Sequence, residues 1–163
     1  MGVSTGTEAS VRLLGLGNEL LADDAFGVRV VRAAKKRFGR AVDAVATSET
    51  GFNLIDSLVG ASRLLVVDTV ATGAAKPGAI FVFDEDHMHP APGQSPHFVG
   101  LFEVLAVARK LGLRVPGLVK IIAVEAADCT TVGGPMHRDV EIAVQAVTQL
   151  VGQYLEEAGV SHG

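Results

Sequence analysis

The stretch LLGLGNELLADDAFGVRVV, Leu13 to Val31, decides the fold. It begins inside an apolar-rich run, Val11 to Leu14, of strand length, and Gly15 and Gly17 end that run by permitting tight backbone geometry. The helix predicted to follow repeats apolar residues at Val30, Val31, Ala34 and Phe38, stops at Gly39, and takes Asp23 or Asp24 as its cap. Strand, glycine turn and helix are the opening unit of an open parallel α/β sheet, and such sheets bind ligands at the carboxyl ends of their strands. Asn18, Asp23 and Asp24 fall on that edge.

The paired glycines invite comparison with the dinucleotide fingerprint G-x-G-x-x-G. Gly15-Leu16-Gly17-Asn18-Glu19-Leu20 has leucine where the third glycine belongs. Two acids at the helix entry would also repel a pyrophosphate, which needs bare amides there. A nucleotide is therefore disfavoured. The plain alternative makes Asp23 an N-cap and Asp24 a favourable charge on the helix dipole. It gives way only if further ligand-type residues converge on the same edge.

At 163 residues, 48% of them apolar, the chain is long enough to bury a core without covalent staples. One domain is expected over 1–163, with 1–10 as a flexible tail and 11–157 as the core. The net charge of −4 argues against nucleic acid as a partner. The basic cluster RAAKKRFGR, Arg32 to Arg40, reads as the solvated end of a helix, where cations suit the dipole. Cys129 is the single cysteine, which excludes an intrachain disulfide and fits a reducing compartment. The first ten residues lack a signal-peptide core, and no apolar run approaches membrane-spanning length, so a cytoplasmic monomer with no membrane partner is expected.

Further along, Val42 to Thr47 alternates like a half-buried strand, and Glu49-Thr50-Gly51 turns into a short helix, Asn53 to Val59, closed by Gly60. Arg63 to Val70, RLLVVDTV, is apolar and β-branched with one acid inside it, as in a central parallel strand covered on both faces. That acid, Asp68, lies near the carboxyl end and needs a hydrogen bond, a metal or a cleft. Thr72 to Gly78 is a turn too short for a crossover helix, so Ala79 to Phe83 is expected as an antiparallel edge strand. Asp84 to Gln94, DEDHMHPAPGQ, reads as a mobile polar loop rather than a metal site built on His87 and His89.

Ser95-Pro96-His97 opens a helix through Lys110, with serine as cap, proline in the first turn, and Phe98, Leu101, Phe102, Leu105 and Ala108 on the buried face. His97 thus sits at the positive end of a dipole that favours a neutral imidazole, the form that ligates metals. Leu118 to Val124 is the last strand, Glu125 to Gly134 a long loop, and Met136 to Glu157 the closing helix, with Val140, Val144, Val147, Val151 and Tyr154 facing the core. The fold expected is a three-layer α/β/α sandwich on a mostly parallel, twisted sheet of about five strands with one antiparallel edge.

Asp24, Asp68 and His97 then occupy equivalent topological places and project over one rim if the sheet is parallel there. Two carboxylates and an imidazole leave coordination positions open, which suits Zn²⁺ or Ni²⁺ better than Ca²⁺. Three other classes compete with a metal-using enzyme. Cys129 with His97 or His137 would make a cysteine hydrolase. The acid and histidine site, or the DEDHMH loop, would make a non-catalytic metallochaperone-like module. A nucleotide-binding domain comes last.

The same residues carry a resemblance. GLGNELLADDAFGVRVV at 15–31, the strand ending in Asp68, and SPHFVGLFEVL at 95–105 resemble, in order from Val11 to Ala146, the hydrogenase maturation endopeptidase family. Proteins of that family cut a short carboxyl-terminal extension from the large subunit of nickel-iron hydrogenases after nickel insertion. The resemblance implies an aspartate-using peptidase in which Asp24, Asp68 and His97 are both catalytic and metal-contacting, with Thr50-Gly51 in a glycine segment near the cleft. It implies nickel carried in by the large-subunit precursor, with zinc or cadmium able to take its place in the isolated protein. Asp23 is the carboxylate available as a base if the metal activates water. Two departures stand out: the family often has glutamate at the position of Asp24, one methylene longer, and Val132 to Met136 match its carboxyl-terminal glycine-rich segment only loosely.

Overall fold

The computed structural model describes residues 10–87 and 96–161, with side chains at 10–86 and 100–161. Strand β1 (Val11–Leu16) runs into a 3-10 turn, Ala22–Ala25, and helix α1 (Phe26–Phe38). Strand β2 (Asp43–Thr47) leads through a second 3-10 turn, Gly51–Leu54, into the single turn α2 (Ile55–Leu58). Strands β3 (Arg63–Val70) and β4 (Ile80–Asp84) precede α3 (Pro96–Lys110), and β5 (Leu118–Glu125) precedes α4 (Arg138–Glu157).

The strands form one sheet in the order β2-β1-β3-β5-β4. β1 pairs with β2 and β3 in parallel, β3 pairs with β5 in parallel, and β4 runs antiparallel to β5 at the edge. The doubly wound sandwich and its antiparallel edge are as expected from the sequence. α1 and α4 cover one face, where Leu13, Leu65 and Val124 meet Phe26, Val30, Val147 and Val151. α2 and α3 cover the other, where Leu14, Val66 and Ile121 meet Leu54, Leu101 and Leu105. Burial of each such side chain contributes about 1.5–3 kcal/mol.

α1 starts later than the glycine turn implies because 18–25 are spent on that turn. Its approach to the sheet depends on Gly27, where a Cβ would lie 2.4 Å from the carbonyl oxygen of Leu16 and 2.8 Å from that of Val67. The helix to sheet contact that the third glycine of a dinucleotide fingerprint would supply is thus made by Gly27. In α4 the buried stripe is Val140, Ala143, Val147, Val151 and Leu155, with Tyr154 half-buried beside it. The loop expected over 84–94 begins with a 3-10 turn at Glu85–His87, and the rest of it lies outside the described residues. Among the described residues no helix is long and apolar enough to cross a membrane.

Candidate active site

Among the described residues the buried charged side chains are Asp23, Asp24, Asp68 and Glu125. All four are acids, and all stand at the carboxyl ends of β3 and β5 or in the turn after β1. A carboxylate withdrawn from water is costly unless donors surround it, so the partners of each reveal its work.

Asp24, 8% exposed, accepts the Asn18 N–H through Oδ2 at 2.8 Å. Gly17 makes that turn possible: its φ is +140° and a Cβ there would fall 2.0 Å from the Asp24 carbonyl oxygen. Ala22, the residue before the two acids, is held at φ +42°, a conformation that alanine adopts at a cost of about 1–3 kcal/mol. Asp68 is fully buried in β3 beside Ala123 of β5, and its Oδ1 accepts the Thr69 N–H at 2.7 Å.

Neither aspartate caps a helix, contrary to the local reading of the sequence: Leu21 precedes the 3-10 turn and Ala25 precedes α1, both without a side-chain cap. Asp23 instead reaches across the rim. Its Oδ2 accepts the N–H groups of Ala127 and Asp128 at 2.8 and 2.9 Å, and its Oδ1 accepts that of His137 at 2.6 Å. Its own N–H donates to the Asp128 carbonyl. A carboxylate so enclosed is a clamp on the loop after β5 and is not placed to serve as a base. Glu125 acts likewise on the loop after β3, accepting the Thr72 N–H, the Thr72 hydroxyl and the Gly73 N–H at 2.9, 2.7 and 2.9 Å.

The loop held by Asp23 brings Cys129 to the rim, with its Sγ 3.5 Å from the Thr69 hydroxyl. Burial is the main cause that pushes its thiol up to about 11; the Thr69 hydrogen bond opposes it, and the charges of Asp24, Asp23 and Asp68 add to it. Through Thr69 and the Asp23 clamp, the thiol lies between the strand that bears Asp68 and the turn that bears Asp24. It is also a poor nucleophile at neutral pH. His137 is engaged elsewhere: its Nδ1 accepts the Asp139 N–H at the start of α4. The cysteine hydrolase alternative has no support in these contacts.

His97 belongs to the first turn of α3. Three residues on, at Gly100, an added Cβ would lie 3.0 Å from the Gly51 nitrogen, so the start of α3 packs on the turn that follows β2. The far end of α3 leads to Arg114, whose carbonyl accepts the Gly60 N–H near the start of β3. α3 thus begins at the rim that carries Asp24 and Asp68. The side chains of His97 and His87, and all of His89, lie outside the described residues. Among the described residues no cluster of three or more histidine, cysteine, aspartate or glutamate side chains has metal-holding spacing.

In the place where the glycines would offer amides to a phosphate, the Asn18 N–H is bound by Asp24. Sequence reasoning missed Glu125, which it read only as the first residue of a loop, and the nearness of Cys129, which no local pattern signals.

The profile of the hydrogenase maturation protease family matches residues 28–154. A hydrogenase expression/formation protein, HupM, of Azotobacter chroococcum mcd 1 is 31% identical over 96% of this chain and 76% of its own. A second, HupD of Bradyrhizobium diazoefficiens, is 31% identical over 93% of this chain and 80% of its own. The solved structure of the hydrogenase maturating endopeptidase HybD from E. coli superposes with a TM-score of 0.76 at 25% identity, covering 93% of this chain and 95% of that one. With the acid-lined rim in the same fold and the profile spanning most of its length, this chain belongs to the hydrogenase maturation protease family and is a peptidase.

Proposed function

We propose that this peptidase removes the carboxyl-terminal extension of a nickel-iron hydrogenase large-subunit precursor after nickel has been inserted, and that Asp24, Asp68 and His97 meet the nickel which the precursor carries. The observation that carries this reading is the burial of Asp24 and Asp68 on one rim, with α3 and its His97 starting on that rim. Two carboxylates and an imidazole are a donor set of the kind that borderline divalent ions accept. Too few to saturate such an ion, they leave it attached to its own protein.

Nickel then serves as the feature recognised: a loaded precursor is docked with its extension across the rim, and an empty one is not. Hydrolysis delivers water to the scissile carbonyl carbon, breaks the carbon–nitrogen bond and returns a proton to the leaving amine. Asp24 and Asp68, buried on the rim, are the carboxylates assigned to carry the proton, while Asp23 and Glu125 hold the loops beside them. Incubation of the protein with nickel-loaded and with nickel-free precursor, followed by mass spectrometry, tests the reading. Loss of the extension from the loaded precursor alone is expected; equal cleavage of both, or of neither, overturns it.

A further inference from the structure

Helix α1 carries Arg29, Arg32, Lys35, Lys36 and Arg37, Arg40 follows it, and no acid occurs in 26–42, although the chain as a whole has a net charge of −4. A groove of about 510 Å³ runs along one flank of this basic face, between α1, the Gly17–Leu20 turn and the end of β2. Its walls include Leu20, Val31, Arg32, Lys35 and Thr47. Leu20 is 63% exposed, and Lys35 is in none of the ion pairs among the described residues. Arg32 is paired across the groove with Glu19. Asn18 lines the same groove and gives its N–H to Asp24, so the groove passes one residue from that carboxylate.

We propose that this groove receives an extended, acid-bearing segment of the precursor protein and aligns it with Asp24. The inference rests on the peptidase and substrate reading above. An incoming carboxylate meets the ammonium of Lys35 and replaces Glu19 on Arg32, while apolar side chains of the segment lie on Leu20 and Val31. Ala46 and Thr47 at the end of β2, with Ser48 after them, line the groove opposite Val28, Val31 and Lys35 of α1, which leaves an elongated slot suited to an extended chain. A nucleic acid is the poorer fit: Glu19 lines the groove, and Leu20, Val28 and Val31 break the track of cations that a polyanion needs.

The test compares two double variants of equal net charge, Arg32→Gln/Lys35→Gln and Lys36→Gln/Arg37→Gln. The second pair lines a separate groove between α1 and α4 and controls for the general field of the protein. With nickel-loaded precursor, the first variant should raise KM about tenfold, leave kcat within about twofold and flatten the dependence of KM on salt; the second should leave KM within about twofold. Equal KM changes in the two variants, or none in the first, overturn the proposal. If wild-type protein leaves the precursor uncut, the substrate reading falls, and fluorescence anisotropy with labelled precursor judges the groove alone. Weaker binding confined to the first variant upholds it, and equal affinities overturn it. Single-stranded DNA that displaces the precursor and loses affinity in the same variant also overturns it.

Discussion

Replacing Asp23 by asparagine isolates what its carboxylate does. The side chain keeps its shape, but only one of its two terminal atoms still accepts hydrogen bonds. With that oxygen left on the Ala127 and Asp128 amides, the new NH₂ faces the His137 N–H, which stood 2.6 Å from Oδ1. Losing one hydrogen bond to a charged group costs about 1.5–3 kcal/mol, and the buried donor left behind adds to that. Removing a charge from a fully buried position offsets part of the loss. A net destabilisation of about 2 kcal/mol results, a sizeable share of the roughly 5–15 kcal/mol of a typical domain.

The effect should be concentrated in 127–137, the loop that brings Cys129 to the rim. About 2 kcal/mol corresponds to roughly thirtyfold more frequent opening. Urea unfolding should show a lower midpoint at unchanged slope, and hydrogen exchange followed by mass spectrometry should show faster exchange in that segment. A stability change below about 0.5 kcal/mol with unaltered exchange there would refute the clamp.

Other consequences are open to measurement. Gly27→Ala forces a Cβ against the Leu16 and Val67 carbonyl oxygens, which belong to the sheet and cannot turn aside. A loss of about 3 kcal/mol and a fall in Tm of roughly 10 °C are expected, and a Tm within about 2 °C of wild type would contradict the packing described. Cys129, pushed up to about 11, should react with iodoacetamide at neutral pH roughly a hundredfold more slowly than a free thiol, and alkylation rates against pH measure this. Its raised value carries a sign for stability: the unfolded chain loses the proton first, so stability falls as pH rises from about 8.5 towards about 11, and Cys129→Ser should remove that decline. ADP and NAD should give no thermal protection, because Asp24 occupies the Asn18 amide; a rise in Tm with either would restore a nucleotide site.

Much of the fold was legible because its signals are local. Glycines ending an apolar run, a lone acid inside RLLVVDTV, and a connection too short for a helix each dictate geometry within a few residues, and β1, β3 and the antiparallel β4 follow from them. Asp24 and Asp68 could be placed on one edge for the same reason. Capping by Asp23 was misread because that inference looks only a few residues ahead, whereas its partners lie 104 to 114 residues away in the chain. Glu125 escaped notice likewise, its donors being Thr72 and Gly73 on another loop. The helix expected over 53–59 shrank to one α-helical turn because Gly51–Leu54 winds as 3-10 structure first. Gly27 carries no local signal, because the Leu16 and Val67 carbonyl oxygens that require it come from two strands of the sheet beneath.

The proposed function requires Asp24, Asp68 and His97 to converge on a single transition ion. Anomalous diffraction from crystals of the protein soaked with cadmium or nickel locates that ion. One peak is predicted, within about 2.0–2.5 Å of a carboxylate oxygen of Asp24, one of Asp68 and a ring nitrogen of His97. A peak elsewhere, or side chains of these three residues directed to separate places with the metal present, would contradict it.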